Sequence, residues 1–305
     1  MPNKVYSARA QRWAMVLIWM VPFLWTVNIV ASRQAPGVVS PHVLALGRWG
    51  LAGSILAAVS ARELWQNRAQ LWQQRWRYLL LGACGMWICG AWVYLAGQST
   101  VSMNISLIYA SSPVLIALGS VLWLKEHFSI RQSLGVALAM SGVVHVVVQG
   151  QWGHLSDVRL VPGDLWIVGA AISWAAYALL QRRWPSAMSS TAQLAAMSFG
   201  GVVVILPFAL WELASAHNPS IGRHAVGLML VTALLPGVMA YWIYGWAQKV
   251  LGASRVAVTL YLGPLYTALV AWGLLNEPLG SFHLVGGVLI LSGVAFVMMG
   301  KTRTS

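Results

Sequence analysis

The stretch that decides the fold is Asn104–Val146, because the chain repeats its pattern 151 residues later without a gap. The first copy reads NISLIYASSPVLIALGSVLWLKEHFSIRQSLGVALAMSGVVHV, and the second, Arg255–Val297, reads RVAVTLYLGPLYTALVAWGLLNEPLGSFHLVGGVLILSGVAFV. The matched landmarks are Pro113 with Pro264, Glu126 with Glu277, Gly135 with Gly286 and Gly142 with Gly293. The chain is therefore predicted to consist of two related halves.

The composition around this repeat excludes a soluble globular protein. Of the 305 residues, 59% are hydrophobic and only 8% are charged, whereas an average soluble domain carries about 25% charged residues. The two cysteines, Cys84 and Cys89, fall in one apolar run, which excludes a disulfide scaffold and a zinc cluster. The longest polar segments, Ala61–Arg77 and Gln149–Pro162, are too short for a soluble catalytic domain.

Apolar runs of spanning length recur along the whole chain. They are Trp13–Ala31, Val43–Ser60, Tyr78–Gln98, Val101–Leu124, Ile130–Val148, Gly163–Gln181, Ala192–Leu213, Ala225–Ala247, Ser254–Leu275 and Ser281–Met299. Backbone polar groups find no water in hydrocarbon, so these runs must be helical. The predicted fold class is an all-α integral membrane protein with ten transmembrane helices.

The basic residues predict the orientation of this bundle. With the N-terminus inside, the cytoplasmic segments hold fifteen Lys and Arg residues and the outer segments hold three. This asymmetry follows the positive-inside rule and predicts that both termini are cytoplasmic. The expected location is a bacterial-type inner membrane, crossed many times.

The number of spans in each half determines how the halves are related. Residues 1–150 and 151–305 would each hold five spans, and because five is odd, the second half must start on the opposite side of the membrane. Inverted repeats of this kind are a recurring design of transporters, with the substrate site near the midplane between the halves. The sequence therefore predicts transport by alternating access.

The repeated residues themselves are predicted to be structural. The glycine pairs lie seven residues apart on one helix face, where small residues let helices approach closely in lipid. Pro113 and Pro264 would kink their helices, as hinges or as fixed bends. Glu126 and Glu277 each precede a helix, whose N-terminus a carboxylate complements.

Polar and aromatic side chains at membrane depth are the candidates for a substrate site, because their burial is costly unless they face a cavity or a partner. Trp25 and Asn28 share one face of the first span, and Trp174 and Tyr177 share one face of the sixth. These spans begin the two halves, so the faces are predicted to oppose each other. The other candidates are Trp92, Tyr94, Tyr109, Ser112, Tyr241, Tyr244 and Tyr261. Helix-to-helix contacts or lipid-facing aromatics are the alternative interpretation.

Arg48 is the cationic side chain within a span. It either snorkels to the outer interface or binds a substrate carboxylate. No Asp or Glu lies in the middle of a span, although proton-coupled carriers commonly use a buried carboxylate. Transport is therefore hypothesised to be downhill, the alternative being coupling through another group. No Walker A loop or catalytic motif is present, so we predict neither a cofactor nor a metal nor an enzyme.

These motifs resemble a known family. The two five-span halves with their Pro, Glu and Gly pattern, together with Leu46-Gly47-Arg48-Trp49, are similar to the EamA branch of the drug/metabolite transporter superfamily. Within that branch, Trp174-Ala175-Ala176-Tyr177 resembles bacterial aromatic amino acid exporters. The resemblance implies an inner-membrane exporter of amino acids, aromatic and other neutral ones, and related small metabolites.

Several alternatives to this predicted function remain. The alternative substrate is another small metabolite or a drug. A nucleotide sugar would require several Lys or Arg side chains in the cavity for its phosphates, and a cationic drug would require a buried carboxylate. A membrane-embedded lipid-modifying enzyme would need converging catalytic groups, which the sequence lacks. The basic stretch Arg62–Arg77, interleaved with Trp65, Trp72 and Trp76, indicates contact with anionic membrane lipids rather than nucleic acid. No obligate protein partner is evident.

Overall fold

The computed structural model describes residues 6–100, 102–125, 129–148, 150–153, 161–215, 219, 221–275 and 280–298. Within these ranges every regular element is a helix. In chain order the α-helices are α1 (Ala8–Leu17), α2 (Met20–Gln34), α3 (Pro41–Val59), α4 (Ala61–Gln66), α5 (Arg68–Gln73), α6 (Arg75–Gly82), α7 (Cys89–Gly97), α8 (Ser102–Tyr109), α9 (Ser112–Leu122), α10 (Ile130–Val147), α11 (Pro162–Arg183), α12 (Ser190–Ala214), α13 (Arg223–Thr232), α14 (Ala240–Leu251), α15 (Ala253–Ala257), α16 (Gly263–Leu275) and α17 (Ser281–Met298).

Six of these helical stretches are long and apolar enough to cross a membrane. They are Ala8–Gln34, Pro41–Val59, Arg75–Gly97, Pro162–Arg183, Ser190–Ala214 and Arg223–Leu251. The fourth predicted span is instead broken into α8 and α9, and the ninth is divided by a 3₁₀ segment, Val258–Leu262. The all-helical class is thus confirmed for the described residues, while ten crossings and cytoplasmic termini stay predictions. Glu126 and Glu277 lie outside the described residues.

The repeated glycines bring α10 and α17 into backbone contact. A Cβ on Gly135 would lie 2.7 Å from the carbonyl oxygen of Gly293, and a Cβ on Gly142 would lie 2.8 Å from that of Gly286. A side chain at any of these three positions, Gly135, Gly142 or Gly293, would meet main-chain atoms that cannot rotate away. The prediction that these glycines serve helix contact is confirmed, and the contact joins the equivalent helices of the two halves.

A π-helical segment interrupts a helix in each half. The first π-helix, Ala83–Ile88, separates α6 from α7, and the second, Ala233–Met239, separates α13 from α14. The 151-residue shift of the repeat carries residues 83–88 onto 234–239, within the second π-helix. Such wide turns are rare and frequently occur at functional sites. Their matched positions therefore direct attention to the space between them.

The predicted interfacial stretch forms the short helices α4 and α5. Leu64 and Leu71 pack against the core, whereas Trp65 and Trp72 are 69% and 71% exposed. Arg68 and Arg75 lie over these two indole rings, with their guanidinium carbons 4.7 and 4.9 Å from the ring centroids. Exposed indoles beside stacked cations suit the headgroup level of a membrane, which is where the sequence predicts this stretch to lie.

A carboxylate from α12 caps the start of α3. Glu212 accepts hydrogen bonds from the backbone N–H groups of His42 (2.8 Å) and Val43 (3.1 Å), and its other oxygen lies 2.6 Å from Nδ1 of His42. The first N–H groups of a helix have no partner within the helix, so Glu212 satisfies two donors that would otherwise be unpaired.

We therefore expect Glu212→Leu to lower the free energy of unfolding by about 1–3 kcal/mol, because buried donors lose their acceptor. Glu212→Gln keeps one acceptor oxygen and should lose less. Thermal unfolding of the purified protein measures both changes. Equal stability of the leucine variant and the parent would contradict the role of this cap.

Candidate functional site

A cavity of ≈ 80 Å³ lies between the two halves of the bundle. From the first half, α2, α3, α7 and α8 line it, and from the second half, α11, α14, the 3₁₀ segment and α16. Six of the residues predicted from the sequence lie on its wall: Trp25, Asn28, Arg48, Tyr109, Trp174 and Tyr241. The wall is mostly apolar, and its polar groups are concentrated around Arg48.

Arg48 donates only to neutral oxygens. Its Nη1 donates to Oδ1 of Asn28 (2.9 Å) and to the hydroxyl of Tyr94 (3.3 Å), and its Nη2 donates to the carbonyl oxygen of Pro236 (3.3 Å). Tyr94 in turn donates to Oδ1 of Asn28 at 2.8 Å. The Pro236 carbonyl belongs to the second π-helix, so this network joins both halves at the cavity.

The charge of Arg48 is buried without a carboxylate partner in the described part of the chain. The side chain is 1% exposed, and its Nε has no hydrogen-bond partner. Its guanidinium lies over the Trp49 ring, with 4.6 Å to the centroid. Burial to this degree rules out the snorkelling interpretation, so the guanidinium faces the protein interior and the cavity.

The three described carboxylates are all bonded elsewhere. Glu63 accepts from Ser189, Asp164 accepts from Thr100, and Glu212 is held by His42. None of them lies on the cavity wall. Within the described residues, no cluster of three His, Cys, Asp or Glu side chains is placed to hold a metal ion.

Aromatic rings form another part of the cavity wall. Trp25 meets Trp174 edge to face, with 4.9 Å between ring centroids, as the opposing faces of the first and sixth spans predict. Tyr241 lies 5.4 Å from Trp174 and donates through its hydroxyl to the carbonyl oxygen of Gly85 (2.6 Å) in the first π-helix. Tyr177 and Tyr244 lie behind this wall, 5.2 and 5.0 Å from Trp174.

The remaining candidates lie away from the cavity. Trp92 packs against Trp166 at 5.0 Å between ring centroids and contributes nothing to the cavity wall. Ser112 and Tyr261 are fully buried, and their hydroxyl groups have no hydrogen-bond partner among the described residues. Tyr261 packs in a separate apolar cluster with Ala110 and Ile290.

The sequence reasoning missed several wall residues. Thr26, Cys89, Ser106 and Gly263 line the cavity, and the Pro236 carbonyl accepts from Arg48. Two signals in the sequence point to this region. Pro236 inside the eighth apolar run indicates an irregular helix, and Gly263 directly precedes the repeated Pro264.

Close helix packing lies one turn beyond Asn28 on α2. A Cβ on Gly97 would lie 2.3 Å from the carbonyl oxygen of Ser32, so α2 and α7 cross in backbone contact there. Arg33 donates to the carbonyl oxygens of Gly97 (2.7 Å) and Thr100 (2.9 Å).

The cavity is smaller than the roughly 300–1,000 Å³ typical of ligand pockets, so a sizeable ligand requires its walls to move.

This architecture has a counterpart among known families. A model of the EamA-like transporter family matches residues 12–148 and again residues 161–299. The chain belongs to the EamA-like transporter family. Its resemblance to that family, expected from the repeat, is confirmed, and this EamA-like transporter is a multi-pass integral membrane protein.

Curated relatives of this EamA-like transporter are named transporters as well. An uncharacterized transporter of Archaeoglobus fulgidus is 28% identical over 283 residues, covering 92% of this chain and 95% of its own. The uncharacterized transporter YyaM of Bacillus subtilis is 26% identical over 266 residues, covering 86% of each chain. The S-adenosylmethionine/S-adenosylhomocysteine transporter of Chlamydia muridarum is 22% identical over 293 residues, covering 91% of this chain and 89% of its own.

A solved crystal structure shares the fold of this EamA-like transporter. It superposes with a TM-score of 0.73 over 94% of this chain and 97% of that chain, at 17% sequence identity. Identity this low supports the fold alone. The overall helical arrangement is therefore one that an experimentally determined structure also adopts.

Proposed function

We propose that this EamA-like transporter exports small metabolites that combine a carboxylate with an apolar body, neutral and aromatic amino acids foremost. The cavity around Arg48 is the substrate site in this proposal. The observation that carries it is the buried guanidinium of Arg48, which is 1% exposed and bonded only to neutral oxygens. A buried cation is costly unless an anion pairs with it, and a substrate carboxylate supplies that anion.

The geometry of the guanidinium suits this role. Both Nη groups of Arg48 donate to neutral oxygens at the cavity wall. Its Nε has no hydrogen-bond partner among the described residues. A guanidinium presents parallel N–H donors that match the two oxygens of a carboxylate. On the same cavity wall, the rings of Trp25, Trp174 and Tyr241 offer an apolar surface for the body of the substrate.

Alternating access is the mechanism we propose for movement. Aromatic rings line the cavity, and α2 and α7 meet in backbone contact at Ser32 and Gly97. Each of the equivalent π-helices accepts a hydrogen bond from a residue of the cavity wall, as expected if two inverted halves exchange roles. Ten crossings, halves at residues 1–150 and 151–305, and cytoplasmic termini belong to this proposal.

A second substrate class comes from one relative. The Chlamydia muridarum relative is named for S-adenosylmethionine and S-adenosylhomocysteine, both of which carry an amino acid carboxylate. The cavity of ≈ 80 Å³ favours solutes smaller than S-adenosylmethionine. S-adenosylmethionine therefore belongs in any panel of test solutes.

Counterflow in proteoliposomes tests the proposal. Vesicles loaded with leucine, phenylalanine, tryptophan or S-adenosylmethionine are expected to accumulate the labelled form of at least one of them, saturably and without a pH gradient. Protein-free vesicles provide the control. Failure of every carboxylate-bearing solute to exchange would contradict the proposed function, and uphill accumulation that requires a pH gradient would contradict downhill transport.

A further inference from the structure

The cavity wall carries one formal charge, that of Arg48. All hydrogen-bond acceptors around its guanidinium are neutral, namely Oδ1 of Asn28, the Tyr94 hydroxyl and the Pro236 carbonyl. The described carboxylates are bonded to Ser189, Thr100 and His42, away from the cavity. A bound monoanion would bring the charge of the site to zero, whereas a zwitterion would leave a net positive charge in a low-dielectric space.

The same wall offers an ammonium group no carboxylate partner among the described residues. The Asn28 oxygen already accepts from both Arg48 (2.9 Å) and Tyr94 (2.8 Å). The Tyr241 hydroxyl directs its proton at the carbonyl of Gly85, so its oxygen is left as a neutral acceptor that does not balance a positive charge. An ammonium beside the bound carboxylate would also lie close enough to the guanidinium for like-charge repulsion.

Cation–π attraction does not replace the missing anionic partner of an ammonium group. The rings nearest the polar end already face the guanidinium, which lies 4.6 Å from the Trp49 centroid and 5.9 Å from that of Tyr241. Trp25 and Trp174 meet edge to face, so each covers part of the other's surface. The ring surface left to the cavity is better matched to an apolar chain than to a second cation.

We infer that the cavity recognises the carboxylate and the apolar body, and that the α-ammonium of an amino acid contributes nothing to binding. The ligand class is therefore small apolar monocarboxylates, with neutral amino acids as its amino-bearing members. This inference rests on the proposed function in taking the Arg48 cavity as the substrate site.

Three probes of one shape separate the contributions of the two charges. They are leucine, 4-methylpentanoate (leucine without the amino group) and 3-methylbutylamine (leucine without the carboxyl group). Binding to the purified full-length protein in nanodiscs is followed by intrinsic tryptophan fluorescence, because Trp25 and Trp174 line the cavity. We expect 4-methylpentanoate to bind at least as tightly as leucine, and the amine to bind at least about 10-fold more weakly, as the loss of a charge-assisted pair predicts.

Variants tie this preference to the guanidinium. Arg48→Gln is expected to raise the dissociation constant of 4-methylpentanoate by about 10–100-fold, and Arg48→Lys, which keeps the charge, should retain the preference for the acid over the amine. Arg223→Gln, the same change on an exposed arginine at the start of α13, should alter neither. Should the glutamine variant fail to fold, the lysine variant still tests the preference.

Each outcome supports or overturns the inference. Leucine binding 10-fold more tightly than 4-methylpentanoate, no saturable binding of the acid, or an unchanged acid affinity in folded Arg48→Gln would overturn it. Counterflow of the same solutes distinguishes its failure from that of the proposed function. If leucine exchanges but the acid does not bind, the proposed transport stands and this inference falls. If the acid binds through Arg48 but nothing exchanges, recognition stands and transport falls.

Discussion

Gly293→Leu is expected to keep α10 and α17 from packing against each other. We expect most of the protein to lose its fold as a result. A Cβ at Gly293 would lie 2.5 Å from both the backbone nitrogen of Ala139 and the carbonyl oxygen of Gly135. Both atoms belong to the main chain of α10 and cannot rotate out of the way, so α10 and α17 must separate along their length. We expect a loss of at least about 3 kcal/mol in the free energy of unfolding, above the usual range for an overpacked site.

The measurement is the monodisperse yield and the thermal midpoint of detergent-solubilised protein. Gly227→Leu and Gly50→Leu are matched controls, because a Cβ at either helical position has no neighbour within 4 Å. Gly293→Ala should fall between the parent and the leucine variant, since it adds the clashing atom alone. A Gly293→Leu protein as stable as Gly227→Leu would show that α10 and α17 do not meet as described.

Arg48→Gln is expected to lower transport at low solute concentration by about 10–100-fold while leaving the protein folded. Glutamine can still bond to Asn28 or Tyr94, so the local network keeps polar partners, but the charge that pairs with a substrate carboxylate is gone. Loss of charge-assisted hydrogen bonds costs about 1.5–3 kcal/mol, or about 10–100-fold in substrate affinity. Arg48→Lys should retain part of the activity, because an ammonium keeps the charge but lacks the paired donors.

Initial rates of counterflow at several solute concentrations measure this effect, with the thermal midpoint as the check on folding. Arg223→Gln removes an exposed arginine outside the cavity and should transport at the parental rate. A folded Arg48→Gln protein with the parental rate would exclude the guanidinium from substrate binding.

The repeat was the part of the fold that the sequence predicted best. Glycines spaced by seven residues mark one helix face whatever the surroundings, so close helix packing at Gly135 and Gly293 could be predicted, although not that these two glycines face each other. The opposition of Trp25 and Trp174 followed from the same periodicity, combined with the equivalence of the two halves. These features depend on regular helices, for which spacing along the chain specifies direction in space.

The site was less predictable where helices are irregular. Trp92 and Tyr94 are two residues apart, so a helix places them on different sides, and spacing alone could not select Tyr94 as the partner of Asn28. Ser112 follows the break between α8 and α9, and Tyr261 lies in the 3₁₀ segment, so helical periodicity does not apply to either. The interior position of Arg48 could not be predicted, because spacing along α3 does not tell that this face of the helix is surrounded by protein.

The two π-helices make the composition of the cavity sensitive to the length of the chain. A π-helical turn accommodates one more residue than an α-helical turn would. If Ala83–Ile88 formed an unbroken α-helix with the same number of residues, everything after it would be rotated by about 100°. Cys89 and Tyr94 would then face lipid or a neighbouring helix, although every side chain of α7 would still be present. Sequences aligned across this region should therefore be compared by residue count before they are compared by residue identity.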